Sequence, residues 1–154
     1  MKYRAVNPMF APMFAVVLCA VVGTAACGSD STGPDNADIA GTYSLQTVSD
    51  EAGPAQSLPA EFPGILGGGY TFISGSLTIA ANGTFTRTGS FTYSDIITDG
   101  DLGAAGTFTR SDDNLTFVSD DTDDSAGSVD SDEITIVLPV VNAADRFTFV
   151  FRKD

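Results

Sequence analysis

Residues 82–94 read NGTFTRTGSFTYS, and this stretch decides the fold. Phe85, Phe91 and Tyr93 share one parity, whereas Thr84, Thr86, Thr88, Ser90 and Thr92 take the other. Successive side chains of an extended chain point to opposite faces, so a period of two marks a half-buried β-strand. Asn82 and Gly83 both tolerate positive φ and predict a tight hairpin, which makes Gly69–Ile79 the partner strand. Working outward, further strands are expected at Gly41–Val48, Leu102–Arg110, Leu115–Ser119, Ser125–Asp130, Glu133–Leu138 and Arg146–Arg152. No segment carries a helical apolar stripe, so the fold class is all-β. Hairpins with one apolar face must pack as two sheets or close on themselves, and closure removes the unpaired edges that invite aggregation. The expectation is a single antiparallel up-and-down β-barrel of about eight strands over residues 39–154, with a β-sandwich as the alternative.

The connection from Ser49 to Gly68 is long for a hairpin protein, and loops of that length tend to be functional or disordered. It holds Leu58, Phe62, Ile65 and Leu66 beside three prolines, too many apolar groups for a disordered linker. Such a loop folds over one mouth of a barrel, as a lid or as a plug that completes the core.

The N-terminus has a different character. Lys2 and Arg4 precede a charge-free apolar run from Met9 to Ala26, the layout of a signal peptide. Thr24-Ala25-Ala26-Cys27 then gives way to Gly28-Ser29-Asp30-Ser31-Thr32-Gly33, so a thiol stands where apolar becomes polar. This resembles the lipobox of bacterial lipoproteins. The resemblance implies removal of residues 1–26, acylation of Cys27 on its sulfur and its new amino terminus, and attachment to a membrane of the bacterial envelope. Gly28, in place of Asp, is the pattern that family sends to the outer membrane. Secretion with a free thiol and an uncleaved anchor are the alternatives. Two or three acyl chains hold durably where a single myristoyl chain is marginal, since each buried CH₂ adds about 0.8 kcal/mol. Residues 27–38 are Gly, Ser, Asp, Asn and Thr in the main, the composition of a flexible tether.

Two cysteines occur, Cys19 within the peptide and Cys27 at the seam, so no disulfide is expected and stability must come from a core. Loss of Lys2 and Arg4 takes the formal charge from -13 to -15. Nucleic acid and anionic lipid surfaces are poor partners for such a chain.

The ends of the domain carry a second resemblance. Ile39-Ala40-Gly41-Thr42-Tyr43-Ser44-Leu45, a long loop, and a meander ending in Phe149-Val150-Phe151-Arg152 are similar to the lipocalin-like domains of small bacterial lipoproteins. The family opens on Gly-x-Trp and carries a basic residue at the last strand that packs across the ring. Gly41 and Tyr43 stand in the first motif, and Arg152 is the expected match to the second. The resemblance implies a cavity for a small apolar or amphiphilic ligand, walled by Phe85, Phe91, Phe108, Phe117, Phe147 and Phe149.

Gly83-Thr84-Phe85-Thr86-Arg87 recurs as Gly106-Thr107-Phe108-Thr109-Arg110. Both arginines share parity with an inward phenylalanine. An inward guanidinium is costly unless a carboxylate or an anionic ligand meets it, so Arg87 and Arg110 are candidates for an acidic head group. A bulge at Gly89 would instead turn Arg87 outward, and Arg110 near a strand end reaches water.

Asp112, Asp113, Asp120, Asp121, Asp123 and Asp124 cluster on turns. Asp121, Asp123, Ser125 and Asp132 mimic the spacing of a calcium-binding EF-hand loop, but Ala126 replaces its glycine. Solvated acidic turns are the expectation, with no metal and no cofactor. Catalysis is not expected: with no histidine there is no Ser-His-Asp triad and no His-ligated zinc. The favoured function is a lipid-anchored binder of a small apolar or amphiphilic ligand; the alternatives are a structural or protein-interaction module with a filled core and glycan hydrolysis by two carboxylates.

Overall fold

The computed structural model describes residues 35–51, 53–64, 68–93, 98–120, 124–140 and 145–154. The expected signal peptide, Cys27 and the expected tether up to residue 34 lie outside them.

The expected strands form, and they close. β1 (Gly41–Asp50) pairs with β4 (Gly69–Ile79) on one side and with β11 (Arg146–Lys153) on the other. The circuit between them runs through β5 (Thr84–Tyr93), β7 (Ala104–Ser111), β8 (Asn114–Ser119), β9 (Ser125–Asp130) and β10 (Glu133–Pro139), each antiparallel to its neighbours. The result is an eight-strand antiparallel barrel rather than a sandwich. A short β6 (Thr98–Asp101) precedes β7 and keeps its register against β5: Ser90 faces Asp101 and Arg87 faces Ala104. The two are one side of the barrel, interrupted where Leu102 turns inward against Gly89.

Tight turns gather at one end of the barrel. Ala80–Gly83 links β4 to β5, Asp112-Asp113 links β7 to β8, and Ser131-Asp132 links β9 to β10. At the first, only Gly83 takes positive φ (84°), and Ala80 N–H reaches Thr84 O (2.9 Å). The turn therefore spends one left-handed residue where the sequence offered two. The longer connections lie at the opposite end, here called the mouth.

Two bulges let the barrel open there. The register of β1 slips between Leu45 and Thr47, and that of β4 between Phe72 and Ser74. Each shifts the inward parity of its strand. Tyr43 and Leu45 give way to Val48 on β1, while Tyr70 and Phe72 give way to Leu77 and Ile79 on β4. Ile73 is thereby left outside, half exposed. Beyond the bulges, β1 pairs with β2 (Gln56-Ser57) and β4 with β3 (Ala60–Pro63). The long connection is thus stitched to both strands, and Ala60 and Phe62 enter the core. It serves as the plug.

The tight-turn end is closed by Tyr43, whose hydroxyl donates to Ile39 O (2.6 Å). The basic partner is Lys153, not Arg152. Lys153 Nζ stands 5.8 Å from the Tyr43 ring centroid and donates to Asp38 O (3.1 Å). Strand parity explains the correction: Phe147, Phe149 and Phe151 point inward, and Lys153 continues that series, whereas Arg152 faces solvent 3.7 Å from Glu133. Gly41 makes the crossing possible, because a Cβ there would lie 2.7 Å from Lys153 Cε.

The interior is packed by rings. Phe72 meets Phe147 and Phe149 at centroid distances of 4.9 and 5.3 Å, and Phe62 meets Phe147 at 5.3 Å. On the other side Phe85 stands edge-on to Phe117 at 5.0 Å. Burying one such side chain contributes about 2 kcal/mol by transfer from water, so this core is the main source of the barrel's stability.

Candidate binding site at the barrel mouth

Parity along β5 is unbroken. Phe85, Arg87 and Phe91 are all buried, and the ladder runs continuously through Gly89 opposite Gly75. The alternative of a bulge at Gly89 is not realised; the register slips on the partner strand instead, between Phe72 and Ser74. Gly89 has another use: a Cβ there would lie 2.9 Å from Ser74 O and 3.1 Å from Leu102 Cδ1, so glycine admits Leu102 to the interior.

Arg87 therefore points into the barrel, only 7% exposed. Its Nε donates to Leu102 O at 2.7 Å. That is its one hydrogen bond among the described residues, and none of their carboxylates lies within 4.0 Å of it. Burial pushes the guanidinium down to about 10, against a smaller upward pull from Asp101. It is still a cation at neutral pH. Arg87 lines a recess of about 80 Å³ with Asp101, Leu102, Gly103, Leu138, Pro139 and Val140. The lining comes from β5, the β6–β7 joint and the end of β10. Asp101 is itself turned toward Gly103, whose N–H donates to Oδ1 at 2.7 Å.

Arg110 has a different setting. Its Nη1 meets both oxygens of Asp38 (2.7 and 2.9 Å), and its Nε donates to Asp112 O (2.8 Å). The groove around it also carries Asp35, Asp112 and Asp113, a surface that repels anions. Arg110 pins the end of the expected tether, residues 35–38, to the barrel.

The six phenylalanines expected around a cavity are all within 5% of full burial. They divide into two groups. Phe91, Phe147 and Phe149 pack on Phe72, or on Tyr70 and Phe62, near the mouth. Phe85 and Phe108 pack on Phe117. Phe149 and Ile136 are completely buried and Phe117 almost so, so the interior is closely packed around them.

Sequence reasoning did not anticipate the second buried ionisable side chain at the mouth, Asp145. Tyr70 donates its hydroxyl to Asp145 Oδ2 at 2.5 Å, and burial together with this bond raises the phenol well above its ordinary range. Tyr70 has the parity of a core ring and so gave no separate signal. Of the acidic turn residues, Asp121 and Asp123 lie outside the described residues. Ser125 opens β9 and Asp132 lies in the turn beyond its other end, so the two are a strand's length apart and do not share a site. Among the described residues no group of three metal-ligating side chains gathers.

Comparison with known protein families, curated proteins and solved structures finds no match for this chain.

Proposed function

We propose that the chain is a lipid-anchored, non-catalytic module of the bacterial cell envelope, whose barrel is a rigid body with a filled interior. The observation that carries this reading is the interior itself. Among the described residues, rings from β3, β4, β5 and β11 pack on one another inside the barrel, and Phe149, Ile136 and Leu77 are completely buried. Such a body suits presentation of its mouth loops to a partner more than storage of a large apolar molecule. Attachment through Cys27 rests on the lipobox resemblance. The described chain begins at the tight-turn end of the barrel, where Arg110 and Lys153 hold Asp38. The carrier reading narrows to one place, the recess beside Arg87. The lipocalin-like resemblance is supported by the barrel and by Gly41, Tyr43 and Lys153, and remains a proposal.

Native mass spectrometry of the protein extracted from its own membrane tests both halves. The expected result is a chain that begins at acylated Cys27 and carries no retained long-chain ligand. A chain that still begins at Met1, or one that retains an apolar ligand, overturns the corresponding half.

A further inference from the structure

We infer that the recess at Arg87 binds a small monocarboxylate, its carboxylate held by the Arg87 guanidinium and a short alkyl tail covered by Leu102, Leu138, Pro139 and Val140. The inference goes beyond the anchored module and does not depend on it.

Four observations converge. First, Arg87 is more than nine-tenths buried yet has no carboxylate partner among the described residues, and a desolvated cation without one is expensive. Second, its Nε is already committed to Leu102 O. This fixes the plane of the guanidinium and leaves Nη1 and Nη2 without a protein acceptor among the described residues. Arg87 lines the recess, which can admit an acceptor to these terminal nitrogens. Third, the guanidinium offers paired N–H groups that match the two oxygens of a carboxylate.

Fourth, size and charge select the ligand. About 80 Å³ holds a handful of waters at about 10–15 Å³ each, or one short-chain acid, but no long lipid. The opposite wall, Leu138, Pro139 and Val140, is apolar and suits an alkyl group. Asp101 on the rim, and a chain of net charge -13, oppose any ligand that brings a second negative charge. Phosphate and dicarboxylates are disfavoured accordingly.

Saturation-transfer NMR on the full chain, with butyrate, its neutral isostere butyramide and inorganic phosphate as probes, tests this. Butyrate should bind saturably with a dissociation constant in the range of about 0.1 to 10 mM, at least tenfold tighter than butyramide and tighter than phosphate. Arg87→Gln should weaken butyrate at least tenfold and bring it level with butyramide. Should that variant not fold, Asp101→Asn keeps the question open to decision, because Asp101 is exposed and Asn can still accept from Gly103 N–H. This variant should bind butyrate severalfold more tightly and lose much of its discrimination against phosphate. Absence of saturation, equal affinity for butyrate and butyramide, or unchanged butyrate affinity in either variant overturns the assignment.

Discussion

The two copies of Gly-Thr-Phe-Thr-Arg lie side by side in the barrel, and they end in opposite electrostatic settings. Thr84 faces Thr107 across the ladder, and Phe85 faces Gly106, so a local two-fold axis passes between the threonines. In antiparallel strands the same five residues run in opposite directions. Arg87 is carried toward the mouth and Arg110 toward the tight turns. There Arg110 finds the Asp38 carboxylate and the Asp112 carbonyl, while Arg87 finds one carbonyl and a recess. Identical local sequence gives identical strand geometry and the same inward parity. The charge environment comes from elsewhere in the chain: from residues 35–38 for Arg110, and from residues 101–103 and 138–140 for Arg87.

The largest expected effect separates the two glycines of the repeat. A Cβ on Gly106 would fall 2.1 Å from the Val118 carbonyl oxygen, a backbone atom that can yield only if β7 and β8 part. Gly106→Ala should therefore destabilise the fold by about 3 kcal/mol, at the upper end of what overpacking costs. A Cβ on Gly83 meets only Phe108 O, at 3.5 Å, so Gly83→Ala should cost about 1 kcal/mol for the left-handed backbone alone. Urea denaturation followed by far-UV circular dichroism reads both. Equal losses would mean that the strand crossing at Gly106 is looser than the barrel shown here.

Next in size is Tyr70→Phe, which asks what the buried Tyr70–Asp145 pair at the mouth is worth beside Arg87, which has no carboxylate partner among the described residues. Removing the hydroxyl withdraws one donor from buried Asp145 and should cost about 1.5 kcal/mol. Because the phenol is raised in the fold, its contribution is complete below pH 10 and is lost only as pH climbs past the ordinary tyrosine value. The difference between the two proteins should thus be constant from pH 6 to pH 9. A difference that varies across that interval would place the coupling on another group.

The arginines themselves come third. Arg87→Met keeps the aliphatic length and removes a desolvated charge, so stability should stay within about 1 kcal/mol of the parent or rise. Arg110→Met leaves Asp38 without its cation and should lower the urea midpoint. A large loss in Arg87→Met would show that its bond to Leu102 O holds the β6–β7 joint together.

Much of this was legible. The alternation in residues 84–93 and the turn at Gly83 sufficed for β4 and β5, and closure followed from the number of hairpins. Lys153 was readable too, because the parity of Phe147, Phe149 and Phe151 extends to it; the family pattern drew attention to Arg152 instead. The bulges were not legible. Gln46 and Ile73 have no local signature, and the slips occur where β1 and β4 separate to admit β2 and β3, a demand of the whole barrel. Glycine at 89 suggested a bulge but serves the inward turn of Leu102. The recess escaped sequence reasoning for the same reason: Arg87 was identified, but its walls are brought by strands distant in sequence.

The smallest effect is the most specific to the Arg110 side of the comparison. Asp38 is held below the usual carboxylate range, first by its hydrogen bond from Arg110, against the opposing effect of desolvation, and further by the charge of Arg110 and the Ile39 N–H. A carboxylate depressed in the fold stabilises it above the unfolded value, near 3.8, and loses that contribution as pH falls through the folded one. The pair should therefore add to acid sensitivity below about pH 4 and be silent above pH 5. Other carboxylates also protonate in this window, so the informative quantity is the difference in urea midpoint between the parent and Asp38→Asn, measured at pH 6, 4 and 3. That difference should be largest at pH 6 and shrink toward pH 3. The same measurement with Arg87→Met should show no such convergence, since no carboxylate among the described residues is paired with Arg87. A constant difference for Asp38→Asn would mean that the N-terminal segment is held by Lys153 and Tyr43 rather than by Arg110.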